Sequence, residues 1–533
     1  MPLMGEKGAQ GNTGSPIEDE KAPSERLADV DAAPAINDDD EALQRLEKLQ
    51  KEYGATWDGP EDPNDPYNFS STKKITIGIV MGLGSLVTLV AASVTAAALG
   101  DIARDLNLDP ATAQISFSVY FLGLAFGPFP IAAISEMNGR RNIWIASNLW
   151  FILWNSLCPV GYSKGLMIAG RFLAALGASV GNTLAGPVMT DMFHEKDRGK
   201  SLAIAGLLPY LGPALGPIIG GLVSQLIDWP WLFYIVCIID TVVLAIGVLI
   251  LRETYTPVLL RRKAEIFNQV IDGSSTIAAR WPFWRDFFSR LRVNMLRPFH
   301  ILLYRPVMHV VTLNMGLDFG IYTLMLSTFA QLWVDRYGQS KLSSSLHYIS
   351  ISVGISLATQ GGGRAMDWVY RRLRERDSTK NQSQSDAGVG GKLPPGKPEY
   401  RVPYMIPGIL LMPAGLLWYG WSAQYRYHWI VVDIGAAVFT MGSFIYSQAL
   451  NAYILDEFRE YAASANAALR VLSQILGFIF PIFAPNLYGT LDYGWGNSVL
   501  AFIFIVLASP VPGCLWLWGE KLRTIGKQRT QDS

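Results

Sequence analysis

Roughly twelve apolar stretches, each about 20 residues long, constrain this chain more than any other feature. A helix needs ~20 consecutive apolar residues to cross a bilayer core. In the first half the stretches fall near 75–97, 112–134, 142–161, 165–190, 201–225 and 231–251. In the second half they fall near 306–332, 343–363, 404–422, 428–452, 465–488 and 498–518. Lipid offers the backbone no hydrogen-bond partners, so each stretch must satisfy its own N–H and C=O groups as a helix. An all-α membrane protein with twelve transmembrane helices is therefore expected. The chain is 50% hydrophobic and only 17% charged, where soluble domains carry ~25% charged residues.

Basic residues orient the helices. One set of loops holds Arg140 and Arg141, then Lys196, Arg198 and Lys200, the stretches 252–305 and 371–401, and Arg459. The alternate loops hold only Arg104, Lys164, Arg336, Lys341 and Arg426. The positive-inside rule then puts both termini in the cytosol. A multi-pass protein of the plasma membrane is the expectation, with the vacuolar membrane as an alternative that the charges do not separate. Residues 1–72 are polar and rich in Gly, Pro, Ser and Asp, which reads as a disordered tail with one short amphipathic helix at 39–51. A first six-helix bundle is expected over 73–252 and a second over 305–523, followed by a tail at 524–533. The linker 253–304 opens with a basic amphipathic helix suited to the membrane surface. The loop 373–402, rich in Gly, Ser and Asn, reads as mobile.

The formal net charge of zero gives no case for a nucleic-acid partner. Cys158, Cys237 and Cys514 sit in apolar surroundings, and the five histidines lack metal-ligand spacing, so neither a disulfide framework nor a metal site is expected. There is no nucleophile motif, histidine box or phosphate loop. The sequence thus points away from an enzyme and from any cofactor.

Two charged segments repeat at matched points of the two halves. One runs from Ala132 through Glu136 and Gly139 to Arg140 and Arg141; the other runs from Gly363 through Asp367 to Arg371 and Arg372. Each follows the second apolar stretch of its half. An acid near a helix end can bond backbone N–H groups and arginines, and so lock one conformation. The plainer alternative is that the arginines only set topology. A third motif, Gly212-Pro-Ala-Leu-Gly216-Pro217-Ile-Ile-Gly220-Gly221, lies in the fifth stretch. Its prolines bend the helix and its glycines make a flat face for a neighbour; packing alone is the plainer reading.

These residues resemble the major facilitator superfamily, in its fungal twelve-span drug:proton antiporter type. The turn at 136–141 resembles the signature loop between spans two and three, with Ala132 in place of the usual Gly. Gly212 to Gly221 resembles the antiporter motif of span five, and Arg171-Phe-Leu-Ala-Ala-Leu-Gly177 resembles the span-four motif, whose arginine is linked to proton coupling. The segments 252–264, Pro398-Glu-Tyr-Arg and Ala462 to Arg470 resemble the fungal subgroup. The resemblance covers about 57–523 and implies two pseudo-symmetric six-helix bundles. It also implies that spans 1, 2, 4, 5, 7, 8, 10 and 11 line a cavity.

Charged residues inside spans are costly and hence candidate functional groups. Arg171 lies in span four, Asp318 near the middle of span seven and Asp240 at mid-depth in span six. A desolvated carboxylate is suited to bind and release a proton. The implied cavity favours Asp318 over Asp240; a structural hydrogen bond is the alternative for both. Tyr120, Asn182, Tyr322, Gln331, Tyr446, Gln448, Asn451, Tyr453 and Gln474 are candidate substrate contacts, since aromatic faces and a few polar groups suit amphipathic molecules. Helix packing is the alternative for at least half of them. The expected function is export of small amphipathic organic compounds by proton antiport, with alternating access, by a monomer in the bilayer. Proton-coupled nutrient uptake and a transport-inactive sensor are the alternatives.

Overall fold

The computed structural model describes residues 38–193, 208–272, 300–382, 396–458 and 462–531. Twelve helical passes run through these residues. The first six are α1 (Ser71–Asp105), α2 (Pro110–Asn138), α3 (Arg140–Leu157), α4 (Lys164–Met192), α5 (Gly212–Leu226) and α6 (Trp231–Ile250). The next four are α7 (Pro306–Tyr337), α8 (Tyr348–Gln382), α9 (Met405–Gln424) and α10 (Trp429–Glu457). The helix Ala462–Ala508 contains a non-helical residue, Asp492, with φ at 57°. That break separates α11 (462–491) from α12 (493–531).

Local chemistry sets the ends. Asp109 caps α2 by accepting from the Thr112 N–H at 3.1 Å, and Pro110 follows at a position where its missing donor costs nothing. Gly338 closes α7 in the left-handed region, with φ at 64°. Gly139, with φ at 95°, turns the chain from α2 into α3.

The packing repeats between the halves. α1 packs on α5 as α7 packs on α11; α2 packs on α4 as α8 packs on α10; α3 packs on α4 as α9 packs on α10. Small residues permit these approaches. A Cβ on Gly181 would lie 2.8 Å from the Gly84 carbonyl, and one on Gly408 would lie 2.7 Å from the Tyr446 nitrogen. α2 also crosses to the helix Ala462–Ala508, and α5 to α8. The described polar links between the halves lie at one end of the bundle, the distal face opposite both chain ends. There Lys341 pairs with Asp101, and the Leu342 N–H donates to Gln225 Oε1 at 2.8 Å.

The helix expected at 39–51 spans Asp38–Tyr53, but the segment after it departs from a disordered tail, since it packs against the end of α4. Trp57 is buried, and Asp62 and Asp65 are not free surface charges. Asp62 accepts from the Asp58 and Asn64 N–H groups, and Asp65 accepts from Tyr67 N–H while pairing with Arg45 at 2.9 Å. Burial pushes the Asp65 carboxyl above its ordinary range, with Arg45 opposing the shift. Polar composition concealed a fold made of turn caps around one tryptophan. Lys263, on the linker helix Thr256–Asp272, bonds Asp58 at 2.6 Å and so ties the linker to this segment. Residues 1–37, 273–299 and, within the loop read as mobile, 383–395 lie outside the described residues, as do Lys196, Arg198, Lys200 and Arg459, while 373–382 of that loop continue the helix α8.

Candidate functional site

Arg171 is wholly buried in α4. Its Nη1 donates to the Ala91 carbonyl at 2.7 Å, and its Nη2 reaches Thr95 Oγ1 at 3.3 Å and the Phe117 carbonyl at 3.4 Å. Its guanidinium lies 4.4 Å from the centre of the Tyr120 ring. The cation thus ties α4 to α1 and α2 through carbonyls, a hydroxyl and a ring face. No described carboxylate pairs with it. Tyr120 is committed to this arrangement, since its hydroxyl donates to the Thr88 carbonyl at 3.3 Å.

Asp318 is placed apart from Arg171, in the other half. Its Oδ2 accepts from Ser443 of α10 at 3.0 Å, and its Oδ1 has no partner. One turn away, Tyr446 donates to Asn314 Oδ1 at 3.3 Å, giving a second polar rung between α10 and α7. Asp240 is equally buried and its Oδ2 is unpartnered. It shares a bundle with Arg171 and acts electrostatically on Tyr120, whereas Asp318 lies in the other bundle.

The first charged turn is held by acids that the motif does not contain. The Arg140 N–H donates to Glu253 Oε1 at 2.8 Å and the Arg141 N–H to Glu253 Oε2 at 3.3 Å. Glu253 therefore caps the start of α3 from the linker, at the positive end of the helix dipole. Arg140 Nε pairs with Asp191 at the end of α4 at 3.4 Å, its Nη1 donates to Ser135 Oγ at 2.6 Å, and the Tyr255 ring lies 4.5 Å away. Arg141 donates to the Val248 carbonyl at 2.9 Å. Glu136 is exposed beside a pocket shared with Glu52, Tyr53, Tyr255 and Arg261. Gly139 has no room for a side chain, because a Cβ would strike the Glu253 carboxylate.

The second segment differs from the repeated turn read in the sequence. It lies inside the continuous helix α8, and Arg371 and Arg372 are exposed. Arg371 donates to the Asp367 carbonyl of its own helix at 3.3 Å, and Arg372 lies over Trp368 one turn back. The counterpart of Arg140 is Arg401, from the segment before α9. Arg401 pairs with Asp456 at the end of α10 at 2.9 Å and with Asp367 at 3.1 Å, and stacks 4.3 Å from Tyr370. In both halves a buried or half-buried arginine meets an acid at the end of the fourth helix of its bundle.

The span-five glycines all meet neighbours. A Cβ on Gly212 would lie 2.5 Å from Leu89 Cβ, and one on Gly216 would lie 2.9 Å from the Val90 carbonyl and strike Ser93. A Cβ on Gly220 would strike the Val94 carbonyl. These three form a seam against α1, and Pro217 is buried beside it. Gly221 faces the other half, where a Cβ would lie 2.7 Å from the Lys341 carbonyl.

Among the substrate candidates, Asn182 and Gln331 are accessible, and Gln448 is half-buried. Tyr446 and Tyr453 are buried in helix packing. Tyr322 Oη, Asn451 Oδ1 and Gln474 Oε1 have no partner. The Tyr322 ring lies 6.1 Å from Phe319, which meets Phe121 of the first half edge-on at 5.7 Å.

A twelve-pass bundle of two like-packed halves, with polar links between them at one face and buried charges within its spans, is the architecture of a secondary transporter. The chain belongs to the Major Facilitator Superfamily, whose profile matches residues 81–481. It is 37% identical to the probable efflux pump mfs2 of Aspergillus flavus, over 82% of this chain and 99% of that one. It is 33% identical to the efflux pump vrtL of Penicillium aethiopicum, over 89% and 90% of the two chains. The D-xylose-proton symporter shares the fold with a TM-score of 0.59 at 14% identity, over 83% of this chain and 97% of that one.

Proposed function

We infer that this transporter exports small amphipathic organic compounds in exchange for protons, working as a monomer in the plasma membrane with both termini in the cytosol. The observation that carries the reading is the α5 seam. Three glycines of α5 bring it into backbone contact with α1, while Gly221 of the same helix meets the opposite half. A helix that seals against its own bundle on one side and the partner bundle on the other suits exchange, because leakage between the bundles would dissipate the gradient. In this reading 73–252 rocks against 305–523 about a site near mid-depth. The polar links at the distal face are, in this reading, the contacts that close the outer side. The names of the relatives, efflux pumps in fungi, agree with export.

Asp318 and Asp240 are the groups proposed to carry protons, with Arg171 as a fixed cation. Proton-gradient-driven transport in proteoliposomes tests the assignment. Asp318→Asn mimics the protonated acid, so substrate binding and counterflow persist while pH-driven export is lost. Asp240→Asn reduces export less. If Asp318→Asn keeps its pH dependence and Asp240→Asn loses it, the coupling acid is Asp240 of α6. If both keep it, proton exchange by these acids is wrong.

A further inference from the structure

Arg470 of α11 takes no part in the arrangement described so far. It is exposed, and Tyr210, in the 3-10 turn just before α5 of the opposite half, lies within electrostatic reach, so its side chain faces the cleft between the halves. The other side of α11 is packed, with Ala465, Ala468 and Leu469 buried. Along the cleft face, Asn466 and Gln474 lie four residues before and after Arg470. That spacing sets them one turn, ~5–6 Å, to either side. Asn466 Oδ1 and Gln474 Oε1 are buried without a partner.

A guanidinium keeps its charge in any protein environment. Among the described residues no carboxylate pairs with Arg470, in contrast to Arg140, Arg401 and Arg523. A cation in a low-dielectric cleft is stabilised by an anion, and the planar fork of arginine fits a carboxylate or phenolate. Flanking amide oxygens accept from hydroxyl or N–H groups. We propose that Arg470, Asn466 and Gln474 form a substrate subsite for amphipathic organic anions, the guanidinium holding a carboxylate or phenolate and the amides holding neighbouring hydroxyls. The apolar body of such a molecule lies toward Phe319 and Tyr322. The subsite deepens the export reading and rests on it for the direction of transport.

Fluorescein and rhodamine 6G test the subsite, because they share a xanthene frame and carry opposite charge. Binding to the full-length protein in neutral-lipid nanodiscs is followed by fluorescence anisotropy. The wild type binds fluorescein more tightly than rhodamine 6G. Arg470→Gln weakens fluorescein binding about 10-fold or more, as expected for loss of a charge-assisted hydrogen bond, and leaves rhodamine 6G binding intact. Arg470→Lys retains part of the fluorescein affinity. A wild type that prefers rhodamine 6G overturns the proposal, as does an Arg470→Gln protein that binds fluorescein normally. If Arg470→Gln binds neither dye, the wild-type preference, and whether Arg470→Lys preserves it, decides. Proteoliposome flux separates the two claims. Fluorescein bound through Arg470 but not exported sinks the export reading and keeps the subsite. Fluorescein exported equally by wild type and Arg470→Gln sinks the subsite and keeps export.

Discussion

Gly216→Leu lowers transport and lets protons cross without substrate. The reason is geometric. Even the first carbon of a new side chain would lie 2.9 Å from the Val90 carbonyl and would strike Ser93 Oγ. The carbonyl belongs to the backbone of α1, so the obstacle cannot rotate away as a flexible side chain would. Ser93 is also held, donating to the Gly212 carbonyl of α5 at 3.2 Å. A leucine must therefore push α5 off α1 along the seam, at a cost of about 1–3 kcal/mol for overpacking and more where backbone must move. The same displacement carries Gly221 away from the Lys341 carbonyl and loosens the contact between halves. Thermal unfolding in detergent gives the stability loss, and a pH-sensitive dye inside proteoliposomes gives the leak. Gly216→Ala shows the same effects to a smaller degree. Tightly coupled export at the wild-type rate by Gly216→Leu refutes the sealing role.

The sequence disclosed the fold because lipid leaves a helix few alternatives. Length and hydropathy alone located twelve passes, and the main boundary differences have local causes. α1 continues to Asp105 because residues 94–98 tighten into a 3-10 turn without leaving the helix path. α8 continues to Gln382 because nothing between Gly363 and Arg372 stops a helix, and this is where motif reasoning went astray. Two segments with the same spacing of small residue, acid and arginine pair suggest the same turn, yet only the first has a glycine next to its arginines. Gly139 supplies the positive φ that turns the chain; Tyr370 stands at the corresponding place in α8, and the helix runs on.

The partners of the buried arginines were harder to read, because each lies far away along the chain. Glu253 sits more than a hundred residues beyond Arg140, in a segment whose basic character drew attention to the membrane surface. Asp191 and Asp456 end the fourth helix of their bundles, and a search for acids at matched helix ends would have found them. Arg401 lay in a segment singled out for resemblance but without a role. Arg171 and Asp318 already fall in different bundles along the sequence, whereas the electrostatic link between Asp240 and Tyr120 joins residues of α6 and α2 that only three-dimensional packing brings into reach.

Arg140→Ala and Arg401→Ala each reduce transport by tenfold or more, whereas Arg371→Ala leaves it close to wild type. Arg140 is the described cation at Asp191, whose side chain is 18% exposed. Removing one member of a buried pair leaves the other without compensation, which costs roughly 3–5 kcal/mol, less where water still reaches the acid. Among the described residues Asp191 then retains only the weak bond from Thr254 Oγ1 at 3.4 Å. The bundle loses its tie between α4 and the start of α3, and the conformation that the tie stabilises is depopulated. Arg401→Ala does the same in the second half, where it strips Asp456 and Asp367 together. Arg371 is exposed and bonds its own helix, a class of contact whose loss stays within about 0.5 kcal/mol. Two double variants separate a charge lock from general damage. Arg140→Ala with Asp191→Asn, and Arg401→Ala with Asp456→Asn, remove the orphaned charge and recover part of the lost activity, since paired sites are not additive. Transport rates are compared at matched protein levels in the membrane. An Arg371→Ala protein as impaired as Arg140→Ala, beside a fully active Arg401→Ala protein, would return the second lock to α8 and refute the assignment to Arg401.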